Sequence, residues 1–400
     1  MRVKLALVAG AVLALAATVL PGTGNTADRS TRTELMEVFS PDGSITRTKV
    51  KLPKVEAAAE PQALAAAEVV PIEVNGPSSS RFDLVFVGDG YTSSQMALYN
   101  SHVKSKWAEI AAFEPFKSHR TQFNVWQVNV ISQQSGVDND PTNGIRKNTA
   151  LDMGFWCGGT ERLLCVNQTK AKQYAAAVAD VDQVLALGNS TKYGGAGGGV
   201  ATASGGNAQS GQVAIHELGH SMGGLADEYT YGSGDCYPYG EPSESNVSKL
   251  TAAQMQSQQR KWYRWIGQVS PDGGTVGAYV GGRYYTRCIN RPTDNSMMRS
   301  LGRQFNLPGR EAMVASFYRE SGVIEGFSSD SSNLWVKPVD GGSVEWRVDG
   351  APLAGNGLAP AALPSGTHTV TATVTVHTDW VRDPELLKHL TQTVSWTVTR

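Results

Sequence analysis

The residues with the clearest chemical capacity lie in residues 213–229, which read VAIHELGHSMGGLADEY. His216, Glu217 and His220 stand there in the spacing H-E-x-x-H, and Asp227 and Glu228 follow shortly after. Residues four apart share one face of a helix, so His216 and His220 can present two imidazoles to one metal ion. Glu217 is then placed to take a proton from water at that ion. Two nitrogen ligands, room for a third ligand and an open position for water describe a catalytic site for one Zn2+. A bare H-E-x-x-H also turns up in amphipathic helices that bind nothing, so context decides. Val213, Ala214, Ile215 and Leu218 supply the apolar faces of a buried helix, the dry setting such a site needs. Gly223 and Gly224 end that helix, and the two acids come where a turning chain could deliver a third ligand.

Such a helix needs a scaffold, and the flanking sequence predicts one. Residues 83–87 (DLVFV), bounded by Gly88, Asp89 and Gly90, form a short apolar run of the kind seen in buried strands. Residues 93–113 have helical spacing, with Met96, Leu98, Val103, Trp107 and Ile110 as core positions, and 123–131 alternate as a second strand. Residues 170–180 read as helix and 183–187 as strand. The Gly-rich stretch 193–199 lacks G-x-x-x-x-G-K-[ST] and reads as a flexible loop, not a phosphate cradle. The extended stretch 200–204 could lie at the sheet edge and pair with an extended peptide. Further on come a helix over 252–265, a Met pair in DNSMMR (294–299), and a helix over 310–319. From about Ser328 the segments 344–348, 368–376 and 391–399 alternate apolar with polar residues between turns, which predicts a small antiparallel β-sandwich. His368, His377 and His389 show no ligand spacing there and read as surface imidazoles.

Four hundred residues suggest two or three domains. A formal charge of -1 with mixed signs gives no electrostatic case for nucleic acid. Arg2 and Lys4 precede an apolar run over 5–20, which Pro21 and Gly22 break, and Thr26 and Ala27 suit a cleavage site. This reads as a signal peptide over 1–27, so that a secreted, extracellular protein with no membrane anchor is expected after its removal. No Cys follows the run directly, which argues against a lipoprotein. In an oxidising compartment Cys157, Cys165, Cys236 and Cys288 favour two disulfides, chosen here as 157 with 165 and 236 with 288 among three connectivities. Residues 28 to about 55 are polar with a strand-like patch over 44–52, and 55–70 are Ala-rich, so 28–77 reads as a pro-segment or a small N-terminal module with its linker. Asp138, Asn139 and Asp140 could offer oxygens to Ca2+, but the pattern supports no more than a solvated turn.

The order FVGDGYT (86–92), YGGAGG (193–198), HELGHSMGGLADEY (216–229) and SMMR (296–299) resembles the secreted zinc metallopeptidases of the IgA-peptidase family. The resemblance implies an α+β, metzincin-like zincin catalytic domain over 78–327, with a twisted mixed sheet, an active-site helix, and a small sandwich-like all-β domain over 328–400 following it. It also implies His216 and His220 as ligands, Glu217 as general base, and Met298 as the methionine of the turn beneath the metal. In the general metzincin pattern the third ligand is the sixth residue after the second histidine, which here is Ala226 and cannot bind metal. Counting three residues from Gly224 instead selects Asp227, with Glu228 as the alternative. Tyr193, Tyr229, Tyr231 and Tyr285 are candidates to assist a developing oxyanion. The expected activity is that of a zinc endopeptidase acting on a protein or peptide substrate. An extracellular binding protein with a structural or degenerate zinc site, its C-terminal domain holding a surface or substrate ligand, is the alternative from another class. A zinc amidase acting on non-protein amides is a third.

Overall fold

The computed structural model describes residues 31–53, 67–231, 234–328, 333–353, 358 and 360–400; the expected signal peptide lies outside them. Among the described residues no helix is long and apolar enough to cross a membrane. The described chain opens with an antiparallel hairpin, β1 (Thr31–Phe39) and β2 (Ile45–Pro53). Its turn is built by Ser-Pro-Asp-Gly-Ser: Asp42 accepts from the Ser44 amide at 2.9 Å, and Gly43 takes a φ of 85°.

A six-stranded mixed sheet follows, made of β3 (Val69–Glu73), β4 (Phe82–Asp89), β5 (Phe123–Val128), β6 (Gln183–Gly188), β7 (Gly195–Ala196) and β8 (Ala201–Ser204). Its order is β3-β5-β4-β6-β8-β7, parallel through β5-β4-β6-β8 and antiparallel at both edges. The apolar run of β4 is buried throughout because both faces of the sheet are covered. Phe82, Leu84 and Phe86 join Leu185 and Leu187 in one core, while Val85 and Val87 join Val184 and Ala186 in the other. The first core is closed by α1 (Met96–Ala111) and α3 (Gly211–Ser221), the second by α2 (Gln168–Ala175). The sheet edge differs from expectation. β8 is paired on both sides, and the edge is the two-residue β7, inside the stretch read as a flexible loop.

The predicted helix over 252–265 is shorter, α4 (Ala252–Gln258), because Gln259 turns left-handed at φ 51°. Then come the ribbon β9 (Tyr279–Gly282) and β10 (Tyr285–Arg291) and the helix α5 (Leu307–Ser321). α5 is buried on two sides: Met313 and Phe317 belong to the first core, and Val314 and Tyr318 pack under the C-terminal strands. Those strands are β11 (Ile324–Phe327), β12 (Val336–Pro338), β13 (Gly342–Val348), β14 (Ala351–Leu353), β15 (Thr367–Val376) and β16 (Thr391–Thr399), with a short α6 (Pro384–Leu387) before the last. They form a four-stranded antiparallel sheet, β14-β13-β15-β16, and a separate ribbon β11-β12 whose strands lie on either side of residue 328. The expected sandwich is thus a single sheet. Its apolar face, with Val370, Ala372 and Val374, is covered by α5, the ribbon and loops, while its Thr-rich face is largely exposed.

Candidate metal centre

The helix α3 carries His216, Glu217 and His220 into the floor of a cleft, with the apolar side chains of Ala214, Ile215 and Leu218 fixed in the first core. The helix ends at Ser221 and the chain reverses through Gly224, which takes φ 58°. That reversal returns Asp227 to the two histidines. Its Oδ1 lies 3.3 Å from His216 Nε2 and 3.1 Å from His220 Nε2, and the two Nε2 atoms are 3.1 Å apart.

A fourth group arrives from the N-terminal hairpin. Glu37 of β1 sets its Oε2 at 3.3 Å from His216 Nε2 and 3.6 Å from His220 Nε2. Glu37, His216, His220 and Asp227 form a cluster able to hold a metal ion, their donor atoms all within 4.8 Å of one another. Four donors at roughly 2.0–2.2 Å from one zinc ion stand about 3.3–3.6 Å apart at tetrahedral angles, and the separations here, 3.1–3.6 Å, lie within about 0.2 Å of that range.

Protons are placed to match. His216 Nδ1 lies 2.9 Å from the Met297 carbonyl and His220 Nδ1 2.7 Å from the Leu225 carbonyl. A carbonyl can only accept, so both Nδ1 atoms carry hydrogen and a neutral ring leaves the Nε2 lone pair facing inward. Asp227 Oδ1 is buried and has no hydrogen-bond donor, an orphan that a cation would satisfy. The other carboxylate oxygens are tied down, since the Tyr229 hydroxyl donates to Glu37 Oε1 and the Tyr284 hydroxyl to Asp227 Oδ2. Tyr284 sits at φ 76°, rare for a bulky residue, and is held by backbone pairing with Tyr229 and Tyr231. This donor set fits zinc: two imidazoles and carboxylate oxygen, each oriented by a second hydrogen bond.

The electrostatics report the same convergence. Burial alone would lower the pKa of His216, but the carboxylates of Asp227 and Glu37 beside its Nε2 push it up to about 10. Glu37 is held well below its usual range, because the two imidazoles outweigh the burial that opposes its charge. Glu217 is pushed up to about 8 by burial first, then by the charge of Glu37. Its Oε1 is buried without a partner, and Gly197 packs so closely that a Cβ there would meet Glu217 Oε2 at 2.2 Å. A cavity of about 350 Å3 lies beside Glu217, His220 and Asp227.

The remaining expected residues fall as follows. Glu228 faces away from the cluster: its Oε1 accepts from Asn246 at 2.9 Å and Asn306 at 2.8 Å, and its Oε2 from Ser296 at 2.8 Å. Burial pushes its pKa up to about 7 against those three bonds. Met298 lies under the helix, its Sδ only 2.6 Å from where a Cβ on Gly219 would stand, and its carbonyl accepts from the Glu228 amide at 2.7 Å. Cys157 is bonded to Cys165 and Cys236 to Cys288. Of the four candidate tyrosines, Tyr229 reaches the cluster through Glu37, the Tyr193 hydroxyl donates to the Ser40 carbonyl at 3.4 Å, and Tyr231 and Tyr285 pack on neighbouring rings. The residues the sequence reading did not select are Glu37 and Tyr284. Asp138 is engaged by Arg146 and the Lys147 amide, and Asn139 by Gly144 and Phe155, as in a hydrogen-bonded turn.

No curated protein matches the chain. A family model described as IgA Peptidase M64 matches residues 70–272, about half of the 400 residues. That span contains His216, Glu217, His220 and Asp227, while Glu37, Tyr284 and Met298 lie outside it. By this match and the metal-binding geometry inside it, the chain belongs to the M64 family of IgA peptidases, which makes it a peptidase of the metal-dependent kind.

Proposed function

We propose that the chain is a secreted zinc-dependent endopeptidase with a metzincin-like catalytic domain, in which His216, His220 and Asp227 hold the metal and Glu217 is the general base. The observation that carries this reading is the meeting of two inward Nε2 atoms with the orphaned Asp227 Oδ1, at 3.1–3.3 Å, beside a buried glutamate. A bound zinc ion supplies Lewis acidity, acidifying water and polarising a carbonyl. Glu217 takes the proton of the attacking water on its carboxylate and hands it to the leaving amine. The first core shields the helix from below, so that proton stays between Glu217 and the reactants. Tyr284 and the Met297 and Leu225 carbonyls orient the ligands by hydrogen bonding to their far sides. Met298 supports the helix as the turn methionine.

The test is hydrolysis of a denatured protein by the zinc-loaded chain and by Glu217→Gln, with metal content measured in both. Equal zinc with activity lower by about 10²–10⁴-fold in the variant supports the assignment. Equal activity removes Glu217 from the chemistry. One observation favours a second reading: Glu37 gives the cluster four protein donors, as in closed structural zinc sites.

A further inference from the structure

The geometry points to the hairpin β1-β2 as a latency element: Glu37 fills the coordination position that catalysis needs open, and the hairpin covers the cleft until it is released. This rests on the metallopeptidase reading above and says how that site is regulated. It reconciles four protein donors with the presence of a buried base, which a permanently closed site would have no use for.

Three observations carry it. First, the fourth donor comes from outside the span that matches the family. Glu37 precedes residue 70, whereas the other three donors fall within 70–272. Second, the hairpin sits where a substrate would. Met36, Val38 and Val50 pack on Leu163 and on Ala196 of the edge strand β7, while Phe39 and Ile45 pack on Val213 and Tyr229. Phe39 also lies edge-on against the His216 ring, centroids 5.4 Å apart. A peptide carbonyl approaching the two histidines and Glu217 would have to displace β1, because Glu37 Oε2 already stands 3.3 and 3.6 Å from the histidine Nε2 atoms. Third, the hairpin is held in a way that permits release. β1 and β2 hydrogen-bond to each other as a separate two-stranded sheet and share no ladder with the six-stranded sheet. Its polar ties to the body are side-chain contacts and single bonds, among them Arg162 to the Phe39 carbonyl at 2.9 Å and to the Ser40 hydroxyl at 3.0 Å, Tyr193 to the Ser40 carbonyl at 3.4 Å, the Leu301 amide to the Gly43 carbonyl at 3.0 Å, Arg47 over the Tyr284 ring at 4.0 Å, and Tyr229 to Glu37. A lone two-stranded hairpin is marginal in water, so once severed it is held only by its apolar packing and these side-chain contacts.

The experiment uses the full chain with a site-specific protease sequence inserted between Pro53 and Val69, before and after cutting, alongside uncut Glu37→Gln. Three quantities are read: hydrolysis of a denatured protein, release of the hairpin on gel filtration, and the rate at which a chelator strips bound zinc. Cutting should release the hairpin, raise hydrolysis about tenfold or more, and speed zinc loss by a similar factor. Uncut Glu37→Gln should speed zinc loss and raise hydrolysis part of the way, because the amide is a poorer ligand. Release of the hairpin with hydrolysis and zinc loss both unchanged overturns latency while leaving the peptidase reading in place. Retention of the hairpin after cutting, with Glu37 still needed to keep zinc, overturns it in favour of a permanent fourth ligand. Zinc bound but no hydrolysis before or after release would take the peptidase reading down with it.

Discussion

Whether Asp227 or its neighbour Glu228 serves the metal can be decided by one pair of substitutions, because the two acids are held so differently. Asp227→Asn keeps the volume and the acceptor for Tyr284 but removes the charge at the orphaned Oδ1. Glu228→Gln keeps both bonds to Oε1 and turns an amide toward Ser296, for a cost of about 1 kcal/mol. Glu228→Ala is harsher. It strands three buried donors and opens a cavity, on the order of 3–5 kcal/mol. The assay is thermal unfolding with and without zinc. At zinc 100-fold above the wild-type Kd, binding adds about 2.7 kcal/mol, and a site weakened a hundredfold retains only about 0.4 kcal/mol. Asp227→Asn should therefore lose nearly all of the zinc-dependent gain from an almost unchanged baseline, while Glu228→Gln keeps the gain on a lowered baseline. pH gives a second handle in the metal-free chain. The folded pKa of Glu228 is raised from 4.5 to about 7, so its share of stability is present in acid and is lost as pH rises from 4.5 through 7, about 3 kcal/mol in all. Glu228→Gln should flatten the stability profile in that window. Loss of the zinc gain in Glu228→Gln with its retention in Asp227→Asn would refute the assignment.

Tyr284→Phe removes the donor behind Asp227 and should weaken zinc affinity by about 10–100-fold, read by competition with a chelator, with little change in the fold. Gly219→Ala drives a Cβ to 2.6 Å from Met298 Sδ and 2.9 Å from Phe305. Overpacking of about 1–3 kcal/mol should outweigh the roughly 1 kcal/mol gained in helix propensity, and calorimetry should show a lower Tm. Chain-entropy arguments give about 4 kcal/mol for the Cys236–Cys288 bond, across a separation of 52, against about 2.5 kcal/mol for Cys157–Cys165 across 8. Paired Cys→Ser variants should therefore lose more denaturant stability at the first bond than at the second.

The parts of the centre that local sequence dictates were legible in it. His216, Glu217 and His220 share a helix whose apolar faces and Gly terminus are written in the same stretch. The strands β4, β5 and β6 were legible for the same reason, as apolar runs between turns. What sequence could not decide was direction. Asp227 and Glu228 are adjacent, and only the path through Gly224 and the pairing of 227–231 with 283–284 aim one at the histidines and the other at Ser296. Glu37 was out of reach because it meets His216 across 179 residues of chain and lies on β1, of whose hairpin only the second strand was read, as the strand-like patch over 44–52. The edge strand β7 is Gly-Ala, with no side-chain pattern to mark it as a strand. The helix at 252 begins as read, at a Thr251–Gln254 capping box, and ends early because Gln259 turns left-handed.

The two sides of the centre are built to different standards of permanence. Below, the two imidazoles are tied to main chain, His216 to the Met297 carbonyl and His220 to the Leu225 carbonyl, and the chain next to Asp227 is pinned by the bond from the Glu228 amide to the Met298 carbonyl. These bonds lock the helix, the returning loop and the Met297–Met298 segment into one unit, and none can break without disturbing the first core. Above, Glu37 is fixed by one tyrosine hydroxyl and by apolar packing from a hairpin that belongs to no larger sheet. A ligand meant to stay would gain from main-chain support like that of the two imidazoles. The asymmetry is what a site needs if three of its donors must hold the ion through every turnover and the fourth must leave before the first.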